Sequence, residues 1–92
     1  MNYVFLDGAK ILSHTDLHRA FADALDFPDY YGRNLDALRD CLTEQAEPVG
    51  VIIVHADLLQ EHLGRRWKGF CRLMDDLTDD EPGFRFWLEP FE

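Results

Sequence analysis

The sequence predicts an α/β fold: a small three-stranded parallel sheet joined by helices in the order β-α-α-β-α-α-β. Three observations predict it. Short β-rich runs stand near the start, middle and end of the chain, at Tyr3–Leu6, Pro48–Val54 and Phe84–Leu88. Between them, apolar residues recur at spacings of three and four, the period of an amphipathic helix. Both connections are long and helical, so right-handed crossovers between parallel strands follow.

Tyr3-Val4-Phe5-Leu6 is closed by the turn dipeptide Asp7-Gly8 and forms the first strand, whose unbroken apolarity predicts burial on both faces. Ser13 followed by Asp16 resembles a capping box with Asp in place of Glu. Leu17, Ala20, Phe21, Ala24 and Leu25 then carry a helix from His14 to Leu25. Residues 26–33, rich in aromatics and interrupted by Pro28 and Gly32, have neither period and form a structured loop. Asn34 is a good N-cap for a second helix with the stripe Leu35, Leu38 and Leu42, ending near Glu44. Pro48–Val54, β-branched and apolar, is the central strand. A short helix from Asp57 to His62 precedes a long one from Gly64 to Thr78, whose stripe runs Leu63, Trp67, Phe70, Met74 and Leu77. Pro82-Gly83 leads into the last strand.

The 92 residues form one domain spanning 1–92, 47% apolar and 29% charged, as folded globular chains are. Eighteen carboxylates oppose nine Lys and Arg, a net charge of -9 that repels nucleic acid and anionic membranes and attracts basic surfaces. Such acidity also serves solubility alone, so its distribution decides. No basic leader or long apolar stretch is present, and a cytoplasmic, soluble protein without membrane or direct nucleic-acid partners is expected. Cys41 and Cys71 lie inside helical apolar patterns, without a CxxC pair, and read as reduced core thiols.

Catalysis is not expected. The four histidines are scattered, and neither a Gly-rich phosphate loop nor a glycine-flanked serine occurs. His14 and His18, at i and i+4, lack a third ligand and read as surface histidines. Residues 26–37 fail as a calcium loop, because Pro28 and Tyr30 occupy ligand positions. Neither metal nor cofactor is expected.

Placing Leu35 at zero, Asp36, Asp40 and Glu44 fall at about 100°, 140° and 180°, away from the leucine stripe. Like charges at i and i+4 cost a helix a few tenths of a kcal/mol, and Glu44 sits near the negative dipole end. Stability does not select this row, although a solvated face with Arg33 paired to Asp36 is the plain alternative. Tyr30 and Tyr31 precede it, amphipathic rings suited to binding, one of which also suits packing beneath the loop. Residues 23–47 hold seven acids (Asp23, Asp26, Asp29, Asp36, Asp40, Glu44, Glu47) against Arg33 and Arg39, a net of -5. Asp75, Asp76, Asp79, Asp80 and Glu81 close the long helix, while Arg65, Arg66, Lys68 and Arg72 open it, against the helix dipole.

The segment Tyr30-Tyr31-Gly32-Arg33-Asn34-Leu35-Asp36-Ala37-Leu38-Arg39-Asp40-Cys41-Leu42-Thr43 resembles the signature loop and helix of the barstar family, intracellular inhibitors of barnase-type ribonucleases. Asp16-Leu17-His18 and Leu25-Asp26-Phe27-Pro28 are similar to the family too, and the element order fits its fold over the whole chain. The resemblance implies that loop and helix enter a nuclease active site. Tyr30, Tyr31, Gly32, Asn34, Asp36, Arg39, Asp40 and Glu44 become partner-binding residues, with Asp40 where substrate phosphate sits and Asp76 and Asp80 adding contacts. The implied partner is a basic, extracellular-type ribonuclease, bound by a chain that is a monomer when free. Arg39 departs from the family's tryptophan, and a cation there repels a basic cleft or meets an acid of a different nuclease. The competing reading is an acidic interaction module that binds another basic protein without inhibiting a nuclease. An RNA-binding reading rests only on Arg65, Arg66, Trp67 and Lys68, and Trp67 belongs to the core stripe.

Overall fold

Alternation along a central strand organises the molecule. In the computed structural model, which describes residues 1–89, the elements run β1 (Asn2–Asp7), α1 (His14–Leu25), α2 (Leu35–Thr43), β2 (Val49–Val54), α3 (Ala56–Leu63), α4 (Arg66–Asp80) and β3 (Arg85–Leu88). β2 lies between β1 and β3 and pairs parallel with both. The expected order and the parallel three-stranded sheet are both present.

Successive strand residues point to opposite faces, and here the two faces differ. Val4, Leu6, Val51 and Ile53 are fully buried, in one cluster with Leu17 and Phe21 of α1, Leu38 and Leu42 of α2, Leu59 and Leu63 of α3, and Phe70, Leu73, Met74 and Leu77 of α4. Phe21 meets Phe70 edge-on at 6.2 Å, joining α1 to α4 through the core. The other face is open: Tyr3 and Phe5 are 53% and 69% exposed, which corrects the expectation that β1 is buried on both sides. A continuous apolar run reports affinity for a sheet and says nothing of how many faces the helices cover. On the open face, Tyr3 and Trp87 flank Gly50 of β2, their ring centroids 6.4 Å apart, and a Cβ at Gly50 would lie 3.0 Å from both rings.

Local chemistry sets the element ends. Ser13 caps α1 by accepting a hydrogen bond from the Asp16 amide. The Asp16 carboxylate accepts from Leu12 N at 3.0 Å, one residue short of the reciprocal capping-box bond expected with Ser13. Ala24 is exposed, so the buried stripe of α1 is narrower than the periodicity suggested. α4 begins at Arg66 rather than Gly64, because Gly64 takes φ 59 and ψ -129, a conformation left to glycine, and it extends to Asp80. His62 donates from Nδ1 to the Ile11 carbonyl at 2.9 Å, fastening α3 to the segment after β1. Cys41 and Cys71 are free thiols, half-buried against the core, and burial pushes the Cys71 thiol up to about 11. No helix among the described residues is long and apolar enough to cross a membrane.

Candidate partner-binding site

The loop before α2 is held from below. Phe27 is buried, its amide bonded to the Ala22 carbonyl, and the Tyr31 amide bonds to the Pro28 carbonyl, closing a turn. Tyr31 packs edge-on to Phe27 at 4.9 Å between ring centroids. Its hydroxyl meets Nδ1 of His18 at 2.5 Å. His18 is only 3% exposed, which corrects its reading as a surface histidine. Its position three residues before Phe21 and seven before Leu25 places it on the buried stripe of α1, the signal that sequence periodicity offered. Burial, then the charges of His14 and Arg33, lower its pKa to about 4, so the ring is neutral at pH 7. Burial also holds the Tyr31 hydroxyl well above its ordinary range. The bond engages the phenol and one nitrogen of the neutral imidazole.

The two adjacent tyrosines therefore have different surroundings. Tyr31 is a post under the loop, while Tyr30 stands 88% exposed. Arg33 takes a left-handed backbone, φ 55, as the chain enters the helix. Asn34 is extended and caps α2: its Oδ1 accepts from Ala37 N at 2.8 Å, and its Nδ2 donates to the Gly32 carbonyl at 3.3 Å. Both ends of the Asn34 amide are thus engaged within the chain. A Cβ on Gly32 would lie 3.3 Å from that amide nitrogen, crowding the cap.

α2 buries Leu38 and Leu42 and leaves Asp36, Asp40 and Glu44 exposed, Glu44 being the C-cap residue. None of the three carboxylates forms an ion pair among the described residues, and the local pairing of Arg33 with Asp36 is not formed. Arg39, on the same helix, pairs instead with Asp76 of α4 at 3.3 Å. Both side chains are part-exposed, so the pair contributes at most about 1 kcal/mol to stability. Its larger effect is on charge, since each neutralises the other at the surface. Asp76 is thereby joined to α2, whereas Asp80, exposed one turn further along α4, forms no ion pair among the described residues.

The exposed set is thus Tyr30, Asp36, Asp40 and Glu44, bordered by the Arg39–Asp76 pair. Carboxylates are acceptor-only groups that take charge-assisted, often bidentate, hydrogen bonds from guanidinium and ammonium donors. An exposed phenol beside them offers a rigid ring at small entropic cost. Such a face suits a basic cleft with an apolar wall. The family model described as "Barstar (barnase inhibitor)" matches residues 1–90. A Bacillus subtilis (strain 168) protein named "Putative ribonuclease inhibitor YrdF" is 42% identical over 65 residues, covering 70% of this chain and 71% of that protein. With the family matched over nearly its whole length and its loop and helix in place, the chain belongs to the barstar family.

Proposed function

We propose that this protein inhibits a ribonuclease by filling its basic active site with the outward face of α2 and the loop carrying Tyr30. The observation that carries the reading is the row Asp36, Asp40 and Glu44, exposed and unpaired, beside an 88% exposed Tyr30 on a loop braced through Tyr31 and His18. Family membership supports it, as does the name of the Bacillus subtilis relative. A nuclease that binds phosphate presents Arg, Lys or His, and Asp40, central in the row, takes the place of that phosphate. Asn34 and Gly32 shape the loop, and Asp76 and Asp80 lie toward the rim. The partner is a basic ribonuclease of the secreted, barnase-like type, met in the cytoplasm by a monomeric inhibitor.

Arg39 favours a second reading. A cation within the acidic face, neutralised by Asp76, suits a target whose basic surface includes an acid, and such a target need not be a nuclease. Titration into a panel of small microbial ribonucleases, following RNA cleavage at low and high salt, separates the two. Stoichiometric loss of cleavage that weakens with salt supports inhibition. Binding without loss of cleavage supports the interaction module.

A further inference from the structure

α4 carries its charges in the order its dipole disfavours, with Arg65 and Arg66 at the positive N-terminal end. Those two residues line a groove of about 300 Å³, together with Arg33 of the loop and His14 and His18 of α1. The rest of the lining is largely apolar, including Leu35 and Phe70. Although the chain has eighteen acids, no Asp or Glu among the described residues lines this groove. Nor does Arg33, Arg65 or Arg66 form an ion pair among the described residues. Three cationic side chains around one apolar hollow give it a local positive field that favours an anion.

His18 is only 3% exposed, and its Nδ1 is engaged by the Tyr31 hydroxyl. His18 forms part of the groove wall. Arg33 reaches the groove from a left-handed backbone, φ 55, just before the cap of α2. Its charge is felt at His18.

We infer that this groove binds a small organic anion, an oxyanion on an apolar body, gripped by Arg33, Arg65 and Arg66. Its volume, at the lower end for ligand pockets, admits about one ring and one oxyanion group. The oxyanion is a carboxylate or a phosphomonoester. The inference does not depend on nuclease inhibition.

The test uses the full chain at pH 7, with phenyl phosphate, benzoate and inorganic phosphate as probes, followed by NMR of the histidine rings and leucine methyls. Saturable shifts at His14, His18 and Leu35 are expected with phenyl phosphate or benzoate, whichever binds naming the oxyanion. Inorganic phosphate, lacking the apolar body, binds roughly tenfold more weakly. An Arg65→Ala/Arg66→Ala double variant, altered at two exposed positions, keeps its folded spectrum and loses roughly tenfold in affinity. Absence of saturable shifts up to about 10 mM probe overturns the proposal. So do shifts that map elsewhere or persist undiminished in the double variant, and so does an oligoribonucleotide that shifts these residues when neither organic anion does.

Discussion

At the scale of single residues, the hydrogen bond between Tyr31 and His18 ties the loop carrying Tyr30 to the hydrophobic core. The unfolded chain protonates this imidazole near pH 6.5, the folded one only near pH 4. Folding therefore opposes protonation: stability is fully present above pH 6.5 and falls as the pH drops toward 4, by up to about 3 kcal/mol. Denaturant unfolding at a series of pH values checks this, and a His18→Gln variant should lose that part of the slope. Tyr31→Phe leaves the imidazole without its hydrogen-bond partner and should cost about 1–3 kcal/mol. Tyr30→Ala, at an 88% exposed position, should leave the unfolding midpoint unchanged while weakening inhibition. The sequence showed two tyrosines on a structured loop and allowed that one packs beneath it. Which one does so depends on His18, thirteen residues away, and that contact is set by tertiary packing rather than local pattern.

At the scale of elements, the helices were legible because caps and periodicity agree. α1 falls at His14–Leu25 as its pattern indicated, and α2 starts after Asn34, whose side chain performs the cap. Asn34→Ala should cost about 1 kcal/mol and fray the first turn of α2, seen as faster amide exchange at Asp36 and Ala37. The sheet was legible as strands but not as faces, since Tyr3 and Phe5 read like Val4 and Leu6 until the helices choose a side. α4 was read with its charges opposed to its dipole, and the structure places both charged ends at the surface. Replacing Asp79 with Lys should accordingly stabilise the fold by about 0.3–1 kcal/mol, measured as a rise in the denaturation midpoint.

Across the whole molecule, one sheet face carries four helices, and the second of them presents the acid row with Tyr30 beside it. A net charge of -9 speeds encounter with a basic partner, and salt should slow that encounter far more than it slows dissociation. The Arg39–Asp76 pair removes one negative charge from the edge of this face. Arg39→Ala should leave stability within about 1 kcal/mol yet free Asp76, tightening association with a basic nuclease and steepening its salt dependence. Sequence alone placed Arg39 on α2 and left its partner open, because Asp76 is thirty-seven residues away on another helix.

The central claim is that the α2 carboxylates occupy the nuclease's phosphate site, and Asp40 tests it most directly. Inhibition constants for the natural chain and Asp40→Ala, measured against the same ribonuclease by RNA cleavage at low salt, should differ by tenfold or more, as loss of a charge-assisted contact of about 1.5–3 kcal/mol requires. Equal inhibition by the two, with the variant folded, would contradict the account.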